Sequence, residues 1–281
     1  MMSPYLKRIK IGFIGSGNMT KSLVSGLILD SLDPDFPDFK VAENIFVSSR
    51  TTDRSKNLSK KYGVHSALHN DEILDQCDWI VLSMKPQDLP EFLDSYGKSF
   101  TEHHSVVSLC AGISLDSLKK ELPQVKAVAR LMPSTAAEFG KGVLGVYSDS
   151  EAFSHDLSQF FQNVGSVQVV DSEEFLDGIM ISAASGVGFL LEVLQIWSEW
   201  LEDLGFTKEQ SQEIARQGFG GVAEILKNSK KDFYQLQSEV TSKKGVTLAG
   251  LEAMRSSDLD TALNKGFEAA LRRSQELSKL V

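Results

Sequence analysis

The chain has 281 residues, which is long enough for one large domain or two ordinary ones with a substantial buried core. Hydrophobic residues make up 42% of the sequence and charged residues 24%, a composition typical of globular rather than disordered proteins. The formal net charge of −9 would repel a phosphate backbone, so we expect no nucleic-acid partner.

The cysteines and the amino terminus indicate the compartment. Cys77 and Cys110 lie in or beside apolar runs, and neither has a second Cys or a His at metal-ligand spacing. We therefore expect buried, reduced thiols and no metal site. No apolar run approaches the length of a membrane span, and residues 1–10 lack the hydrophobic block of a secretory signal. These features predict a cytoplasmic protein with no membrane partner.

A glycine-rich turn near the amino terminus predicts a nucleotide site. Residues 9–14 form an isoleucine-rich run typical of a buried parallel strand, and a helical pattern begins at Asn18. Gly15 permits the tight turn, Gly17 lets the backbone approach a pyrophosphate, and free N–H groups at the helix start attract negative charge. Thr20 replaces the third fingerprint glycine, so we expect the helix to pack slightly farther from the strand. A turn without a ligand is the alternative.

The end of the second predicted strand, residues 45–49, favours NADP over NAD. In a nucleotide fold this position lies beside the adenosine ribose, where a carboxylate would accept a hydrogen bond from the 2′-hydroxyl. Here the residues are Ser49, Arg50 and Thr51, with no carboxylate. A guanidinium can bind a 2′-phosphate through two hydrogen bonds. NADPH is thus the expected cofactor and NADH a weaker one, unless Arg50 is only a solvated loop charge.

The rest of the first half alternates strands and helices. We predict helices at 18 to about 29–32, 53–62, from Asn70, and near 154–161, with a polar, proline-containing loop at 33–39. Strands are predicted at 64–68, 79–84, 106–110, 125–131, 143–147 and 167–170. Ligands of such sheets bind at the carboxyl ends of the strands. The pattern predicts an α/β fold, with a Rossmann-type doubly wound sheet in residues 1–171.

The second half, residues 172–281, is predicted to be all helical. Apolar residues recur at helical spacing over 189–204, 208–227 and 261–280. Gly218, Gly220 and Gly221 inside the middle helix each cost about 1 kcal/mol against alanine, so we expect close packing against another helix. The wide apolar faces predict either an internal helical core or an interface with a second copy of the chain.

Five separated motifs resemble those of the pyrroline-5-carboxylate reductases. They are IGFIGSGNM at 11–19, MKPQ at 84–87, SLCAG at 108–112, RLMPST at 130–135 and VTSKKGVTLAG at 240–250. The resemblance implies reduction of a cyclic imine, pyrroline-5-carboxylate, to proline in the last step of proline biosynthesis, usually with NADPH. It also implies a Rossmann domain followed by a helical dimerisation domain. It thus favours a homodimer through that domain, with larger assemblies of dimers such as a decamer.

The resemblance also implies roles for individual residues. The pyrophosphate would be held by Gly15, Ser16, Gly17, Asn18 and Met19, the 2′-phosphate side by Ser49 and Arg50, and the adenosine by Asn70. The nicotinamide half would be lined by Ser83, Met84, Lys85, Pro86, Cys110, Ala111 and Gly112. The imine substrate would be bound by Ser185, Gly186, Val246 and Thr247, with the Thr247 hydroxyl, the catalytic candidate, near the ring nitrogen.

The substrate motifs depart from the family pattern. The family's SGSGPAY reads AASGVGF at 183–189, its SPGG reads SKKG at 242–245, and its MPNTP reads MPSTA at 132–136. Loss of proline and of small residues loosens a pocket for the substrate carboxylate. Lys243 and Lys244 either supply charge for this acid or another one, or form a solvated loop. The alternatives are therefore a reductase of another cyclic imine or keto acid, and a non-catalytic NADP(H)-binding paralogue.

Overall fold

The computed structural model describes residues 3–29 and 41–278, so the predicted loop at 33–39 and the end of the last predicted helix lie outside the described residues. The chain divides into two compact units. The sheet unit runs to Ser185 and takes up the chain again from Ala270, and the helical unit comprises Gly186–Ala269.

The sheet unit contains one sheet of eight strands in the order β3-β2-β1-β4-β5-β6-β7-β8. The strands are β1 (Ile11–Ile14), β2 (Ile45–Ser48), β3 (His65–Ser66), β4 (Trp79–Leu82), β5 (Ser105–Ser108), β6 (Ala127–Pro133), β7 (Gly142–Ser148) and β8 (Gly165–Val169). β7 is antiparallel to β6, and the other neighbouring strands are parallel. The order 3-2-1-4-5-6 is that of the Rossmann fold, which confirms the predicted fold class.

Helices connect the strands and cover the sheet. They are α1 (Asn18–Leu29), α2 (Thr52–Tyr62), α3 (Asn70–Gln76), α4 (Leu89–Tyr96), α5 (Leu115–Glu121), α6 (Glu151–Phe160) and α7 (Glu173–Ile179). A single π-helical turn, Met180–Ser185, follows α7. The predicted strand at 64–68 is shorter than expected, because only His65 and Ser66 pair with β2.

The central strands β1, β2, β4 and β5 are buried on both faces, as the apolar sequences of most of them predict, whereas the edge strands β3 and β8 are largely exposed. Along β4, Trp79 and Val81 join one hydrophobic cluster, and Ile80 and Leu82 join a second one. Successive side chains of a strand point to opposite faces, so the sheet has a core on each side. A Cβ at Gly12 would lie 2.3 Å from the Ile73 side chain, which places α3 directly against β1.

The predicted domain boundary after residue 171 stays a prediction. β8 ends at Val169, two residues before it. The compact sheet unit nevertheless continues to Ser185. The reason is that α7 packs on β7, where a Cβ at Gly145 would lie 2.7 Å from Leu176 and 3.2 Å from Ile179.

The helical unit contains helices and no strand in its fully described length. Its helices are α8 (Gly186–Asp203), α9 (Lys208–Asn228), α10 (Phe233–Glu239), α11 (Val246–Ser256) and the first part of α12 (Leu259–Ser278). A Cβ at Gly218 would lie 2.8 Å from Trp197, so this glycine allows α9 to approach α8 closely, as predicted. At Gly220 and Gly221, apart from their chain neighbours and the backbone of α9 itself, no described atom lies within 4 Å of that position, so the predicted close packing is wrong for these two glycines within the described chain.

Much of the apolar surface of the helical unit is exposed. Examples are Leu191, Trp200, Phe233 and Tyr234, with exposed fractions of 58% or more. By length and composition, Glu173–Asp203 is also apolar enough to cross a membrane, with 11% of its most apolar window buried. The expectation that no apolar run approaches the length of a membrane span is therefore wrong for this segment, which consists of α7, the π-helical turn and α8. Helices that pack against other parts of a protein have the same length and composition.

Candidate active site

The predicted cofactor residues lie at one edge of the sheet because four parallel strands end in register. Ile14 at the end of β1 pairs with Ser48 of β2 and with Leu82 of β4, and Leu82 pairs with Ser108 of β5. The residues that follow these four ends therefore share the carboxyl edge, where open α/β sheets bind their ligands. The structure thus brings together Gly15, Ser49, Ser83 and the segment that begins at Leu109.

The glycine turn after β1 has the geometry that a pyrophosphate needs. Gly15 has φ +115°, and a Cβ there would lie 2.8 Å from the carbonyl oxygen of Ser83. Any other residue would be strained and would clash with the neighbouring turn. Apart from its chain neighbours, no residue that the structure describes lies within 4 Å of a Cβ position at Gly17, so the backbone is open to a ligand. Asn18 begins α1, and the first N–H groups of that helix have no acceptor within it.

Two hydroxyl groups brace this turn. Thr20 is buried, and its Oγ1 lies 2.8 Å from the Gly15 carbonyl oxygen and 2.9 Å from Ser83 Oγ. Ser83 Oγ lies 2.9 Å from the Gly15 carbonyl oxygen and 3.0 Å from that of Ile14. Each hydroxyl carries one hydrogen, so together they can satisfy two of these acceptors. Thr20 therefore links the glycine turn to the turn after β4.

At the adenosine end of the predicted site, the side chains of Ser48, Ser49 and Arg50 make two hydrogen bonds and one ion pair. Ser48 Oγ donates a hydrogen bond of 2.7 Å to Asn70 Oδ1 at the start of α3. Arg50 Nη2 lies 3.2 Å from Asp88 Oδ2, with the Arg50 side chain 85% exposed. The Ser49 hydroxyl turns back to the main-chain oxygen of Thr51.

The predicted nicotinamide side consists of the turns after β4 and β5. Pro86 starts a short 3-10 helix, Pro86–Asp88, next to the exposed Lys85. Cys110 is fully buried, with Sγ 3.5 Å from the Met84 carbonyl oxygen. Its main-chain N–H is also engaged, 3.2 Å from Ser108 Oγ, so no part of Cys110 is exposed to a cofactor in this structure, and its place in the nicotinamide half stays a prediction. Gly112, also buried, has φ +77°, a conformation that glycine adopts without strain.

Burial controls the chemistry of both cysteines. It raises the pKa of the Cys110 thiol to about 11 and that of Cys77 to about 12. At neutral pH both are therefore protonated and poor nucleophiles. Hence neither thiol supplies a covalent catalyst.

A buried arginine joins three elements of the sheet unit. Arg130 of β6 lies 3.0 Å (Nη1) from Glu173 Oε1 and 3.5 Å (Nη2) from Asp177 Oδ1 on α7. Glu173 Oε1 also accepts a hydrogen bond of 2.6 Å from the N–H of Leu115, the first residue of α5. Burial raises the pKa of Asp177, and the charge of Arg130 opposes that rise. This network holds α5 and α7 on the sheet.

The predicted substrate residues belong to the end of the first segment of the sheet unit and to the helical unit. Ser185 ends the π-helical turn and Gly186 begins α8. Val246 and Thr247 are the first two residues of α11 in the helical unit, where both are exposed. Lys244 precedes that helix with φ +63°, and Gly245 accommodates Ser242 Oγ 2.3 Å from its Cβ position.

Three residues of the edge and its supports were not among the predicted ones: Thr20 as a hydroxyl bridge, Asp88 and Arg130. In the sequence, Thr20 stands out only because it replaces the third glycine of the fingerprint, and Arg130 only as the first residue of the RLMPST motif. Asp88 lies 38 residues from Arg50 along the chain (88 − 50), so no local pattern connects the two.

Comparison with known proteins shows which families the two parts of the chain match. Residues 173–277 match the family described as pyrroline-5-carboxylate reductase dimerisation, and residues 10–112 match one described as NADP oxidoreductase, coenzyme F420-dependent. Pyrroline-5-carboxylate reductase from Staphylococcus aureus (strain COL) is 30% identical over 278 residues, covering 97% of this chain and 99% of the relative.

Solved structures agree with the fold. A pyrroline-5-carboxylate reductase from Coxiella burnetii superposes with a TM-score of 0.83 at 27% identity, over 96% of this chain and 98% of that one. The Plasmodium falciparum pyrroline carboxylate reductase, solved with NADP bound, gives 0.80 at 21% identity, over 97% and 99% of the two chains. On this full-length likeness, the chain belongs to the pyrroline-5-carboxylate reductase family.

Proposed function

We propose that this protein reduces L-1-pyrroline-5-carboxylate to L-proline with NADPH. The observation that carries the proposal is the aligned carboxyl edge of β1, β2, β4 and β5, with a left-handed glycine at the turn, in a chain that matches reductases of this name along its whole length. The F420-dependent family matches residues 10–112 alone, so it bears on the nucleotide half and not on the substrate.

The residues at the edge fit a phosphorylated dinucleotide. Gly15, Ser16, Gly17, Asn18 and Met19 would hold the pyrophosphate through main-chain N–H groups, since Gly17 leaves the approach open. Arg50 with Ser49 would bind the 2′-phosphate, and Asn70 the adenosine. The nicotinamide half would be lined by the two turns that contain Ser83, Met84, Lys85, Pro86, Cys110, Ala111 and Gly112. NADH, which lacks the 2′-phosphate, would bind more weakly.

The chemistry asks little of the side chains. When bound, NADPH supplies the hydride, and a protonated imine is already a good acceptor for it. The chain's part is to orient the two reactants and to exclude water. The Thr247 hydroxyl would hydrogen-bond the ring nitrogen of the substrate. Val246 would pack against its ring, with Ser185 and Gly186 as further substrate contacts.

The start of α11 would receive the substrate carboxylate. Val246 and Thr247 are its first two residues, and their N–H groups have no acceptor within the helix. Lys243 and Lys244 add two positive charges immediately before it. This arrangement replaces the rigid proline turn of the family with charge. The same observation favours a second candidate substrate, which is a different cyclic imine or keto acid. A panel of such acids, tested at a fixed NADPH concentration, distinguishes the two candidates.

The helical unit supports a homodimer. Its matched family is a dimerisation domain, and its exposed tryptophan, phenylalanine and leucine side chains are typical of a large interface. Assembly of dimers into a decamer would be a further step. The two buried, free thiols suit a reducing compartment such as the cytoplasm.

A threonine substitution tests the substrate role. Thr247→Ala should lower turnover with pyrroline-5-carboxylate by at least about tenfold, which corresponds to about 1.4 kcal/mol of transition-state stabilisation, and leave NADPH binding unchanged. Thr261→Ala, at an exposed position of α12, is the matched control and should behave as the wild type. Equal loss of turnover and NADPH affinity in Thr247→Ala, or no loss at all, would contradict the assigned role. NADPH binding with no turnover of any imine would instead favour a non-catalytic paralogue.

A further inference from the structure

The guanidinium expected to bind the 2′-phosphate already has an acidic partner. Arg50 Nη2 lies 3.2 Å from Asp88 Oδ2, within ion-pair distance. Arg50 follows β2 and Asp88 ends the 3-10 helix after β4, so the pair spans two turns at the carboxyl edge of the sheet. The sequence around Arg50 contains no carboxylate at the end of β2, but the fold supplies one from the turn after β4.

Asp88 is held in place by its own turn. Its N–H donates a hydrogen bond of 2.9 Å to the Lys85 carbonyl oxygen, and Pro86 fixes the backbone at the start of that turn. Its side chain is 30% exposed, whereas that of Arg50 is 85% exposed. The carboxylate is therefore the better ordered of the two partners, and the guanidinium can leave it.

We propose that Asp88 sets the cofactor preference of this protein by competing with the 2′-phosphate of NADPH for Arg50. The inference rests on the 2′-phosphate placement proposed above. A 2′-phosphate must take Arg50 from Asp88 and then lie close to a second negative charge. NADH makes no such demand. Asp88 thus weakens NADPH binding selectively and narrows the difference between the affinities for NADPH and NADH.

The expected effect is modest because the pair is exposed. Ion pairs in solvent shift an equilibrium by up to about fivefold. Removing the charge of Asp88 should therefore tighten NADPH binding by about twofold to fivefold and leave NADH binding within about 1.5-fold of the wild type. The side chain of Asp88 is thereby a specificity determinant that acts through Arg50.

Equilibrium binding of NADPH and NADH to the full chain tests this without any substrate. Asp88→Asn keeps the shape of the side chain and removes its charge. Glu91→Gln, an exposed residue three positions later on α4, is the matched control and should leave the NADPH to NADH affinity ratio unchanged. Arg50→Ala should weaken NADPH more than NADH. In the Arg50→Ala background, Asp88→Asn should lose most of its effect.

An unchanged affinity ratio in Asp88→Asn, or weaker NADPH binding, would overturn the inference. A full effect of Asp88→Asn in the absence of Arg50 would overturn the competition as well, because the carboxylate would then act by repulsion alone. Tight binding of NADPH with the expected response to Asp88→Asn, but without imine turnover, would uphold the inference and contradict the proposed substrate. No binding of either nucleotide by the wild type would overturn both.

Discussion

At the scale of single residues, the glycine turn depends on a threonine where the strict fingerprint has a third glycine. Thr20 Oγ1 lies 2.8 Å from the Gly15 carbonyl oxygen and 2.9 Å from Ser83 Oγ. Glycine at this position would bring the helix closer but could not link the two turns. The hydroxyl thus orders the pyrophosphate turn from within the chain.

Replacing Thr20 tests this link. Thr20→Val, which keeps the shape and removes the hydroxyl, should lower the free energy of unfolding by about 1 kcal/mol and weaken NADPH binding by about fivefold. Thr20→Ser keeps the hydroxyl and should restore most of the binding. Urea unfolding and nucleotide titration measure the two effects. Wild-type affinity in Thr20→Val would contradict a role for the hydroxyl in ordering the turn.

The two thiols give a prediction about pH. Burial raises the pKa of Cys110 to about 11 and of Cys77 to about 12, so the reactive thiolate forms only in strongly alkaline solution. Native protein at pH 8 should therefore react with a thiol reagent far more slowly than protein unfolded in urea, where both thiols become accessible. Counting modified thiols by mass spectrometry checks this, with Cys77→Ser and Cys110→Ser separating the sites. Rapid modification of the native protein would contradict the burial.

At the scale of elements, α7 is held to the sheet by charge as well as by packing. Arg130 is almost completely buried and neutralises Glu173 and Asp177, which lie one helical turn apart. Because Glu173 also receives the first N–H of α5, the same group positions two helices. The turn that begins at Cys110 lies directly before α5, so this network supports the predicted nicotinamide side.

Removing the arginine should be costly. In Arg130→Met two carboxylates remain close together without a counter-charge. We expect a loss of about 2 to 3 kcal/mol in the free energy of unfolding, less than for a fully buried pair because both acids are partly exposed. Arg273→Met, which removes one partner of the exposed Arg273 and Glu276 pair, should cost less than about 0.5 kcal/mol. Equal losses in the two variants would contradict the network.

The loss in Arg130→Met should also depend on pH. The folded-state pKa of Asp177 is already raised by burial, and loss of Arg130 raises it further. A carboxyl whose folded pKa exceeds its unfolded pKa favours the folded state increasingly as the pH falls through the folded value. The deficit of Arg130→Met relative to the wild type should therefore shrink between neutral and acidic pH. Urea unfolding across this range measures it, and a constant deficit would argue against charge as the cause.

At the scale of the whole molecule, the sheet could be predicted because the apolar residues of its central strands indicate that those strands are buried. The isoleucine-rich sequence of β1 and the apolar run of β4 are typical of strands buried on both faces. The predicted strand at 64–68 is longer than β3 because Val64 and Ala67 are buried on either side of the two paired residues, and Ala67 adds a hydrogen bond of 3.0 Å from its N–H to the Val47 carbonyl oxygen. Apolar spacing in the second half predicted both ends of α8 and α9 and the start of α12 to within three residues, but it gave no bounds for the shorter helices α10 and α11.

The contacts within the site were harder to predict, because they join residues far apart in the chain. The pairs Arg50 with Asp88 and Thr20 with Ser83 depend on the register of parallel strands, and Arg130 with Glu173 depends on the packing of α7 beside the antiparallel pair of β6 and β7. No local pattern encodes either arrangement. The apolar helical segment Glu173–Asp203 is a related case. Its composition suits a membrane, a core or a partner equally, and the match to a dimerisation family favours the partner.

The most direct test of the central claim is product formation by the purified protein with NADPH and pyrroline-5-carboxylate. We expect one molecule of proline to form for each NADPH oxidised, and NADH to support the same reaction with a higher KM. Binding of NADPH with no proline formed, while another cyclic imine or keto acid is reduced, would contradict it.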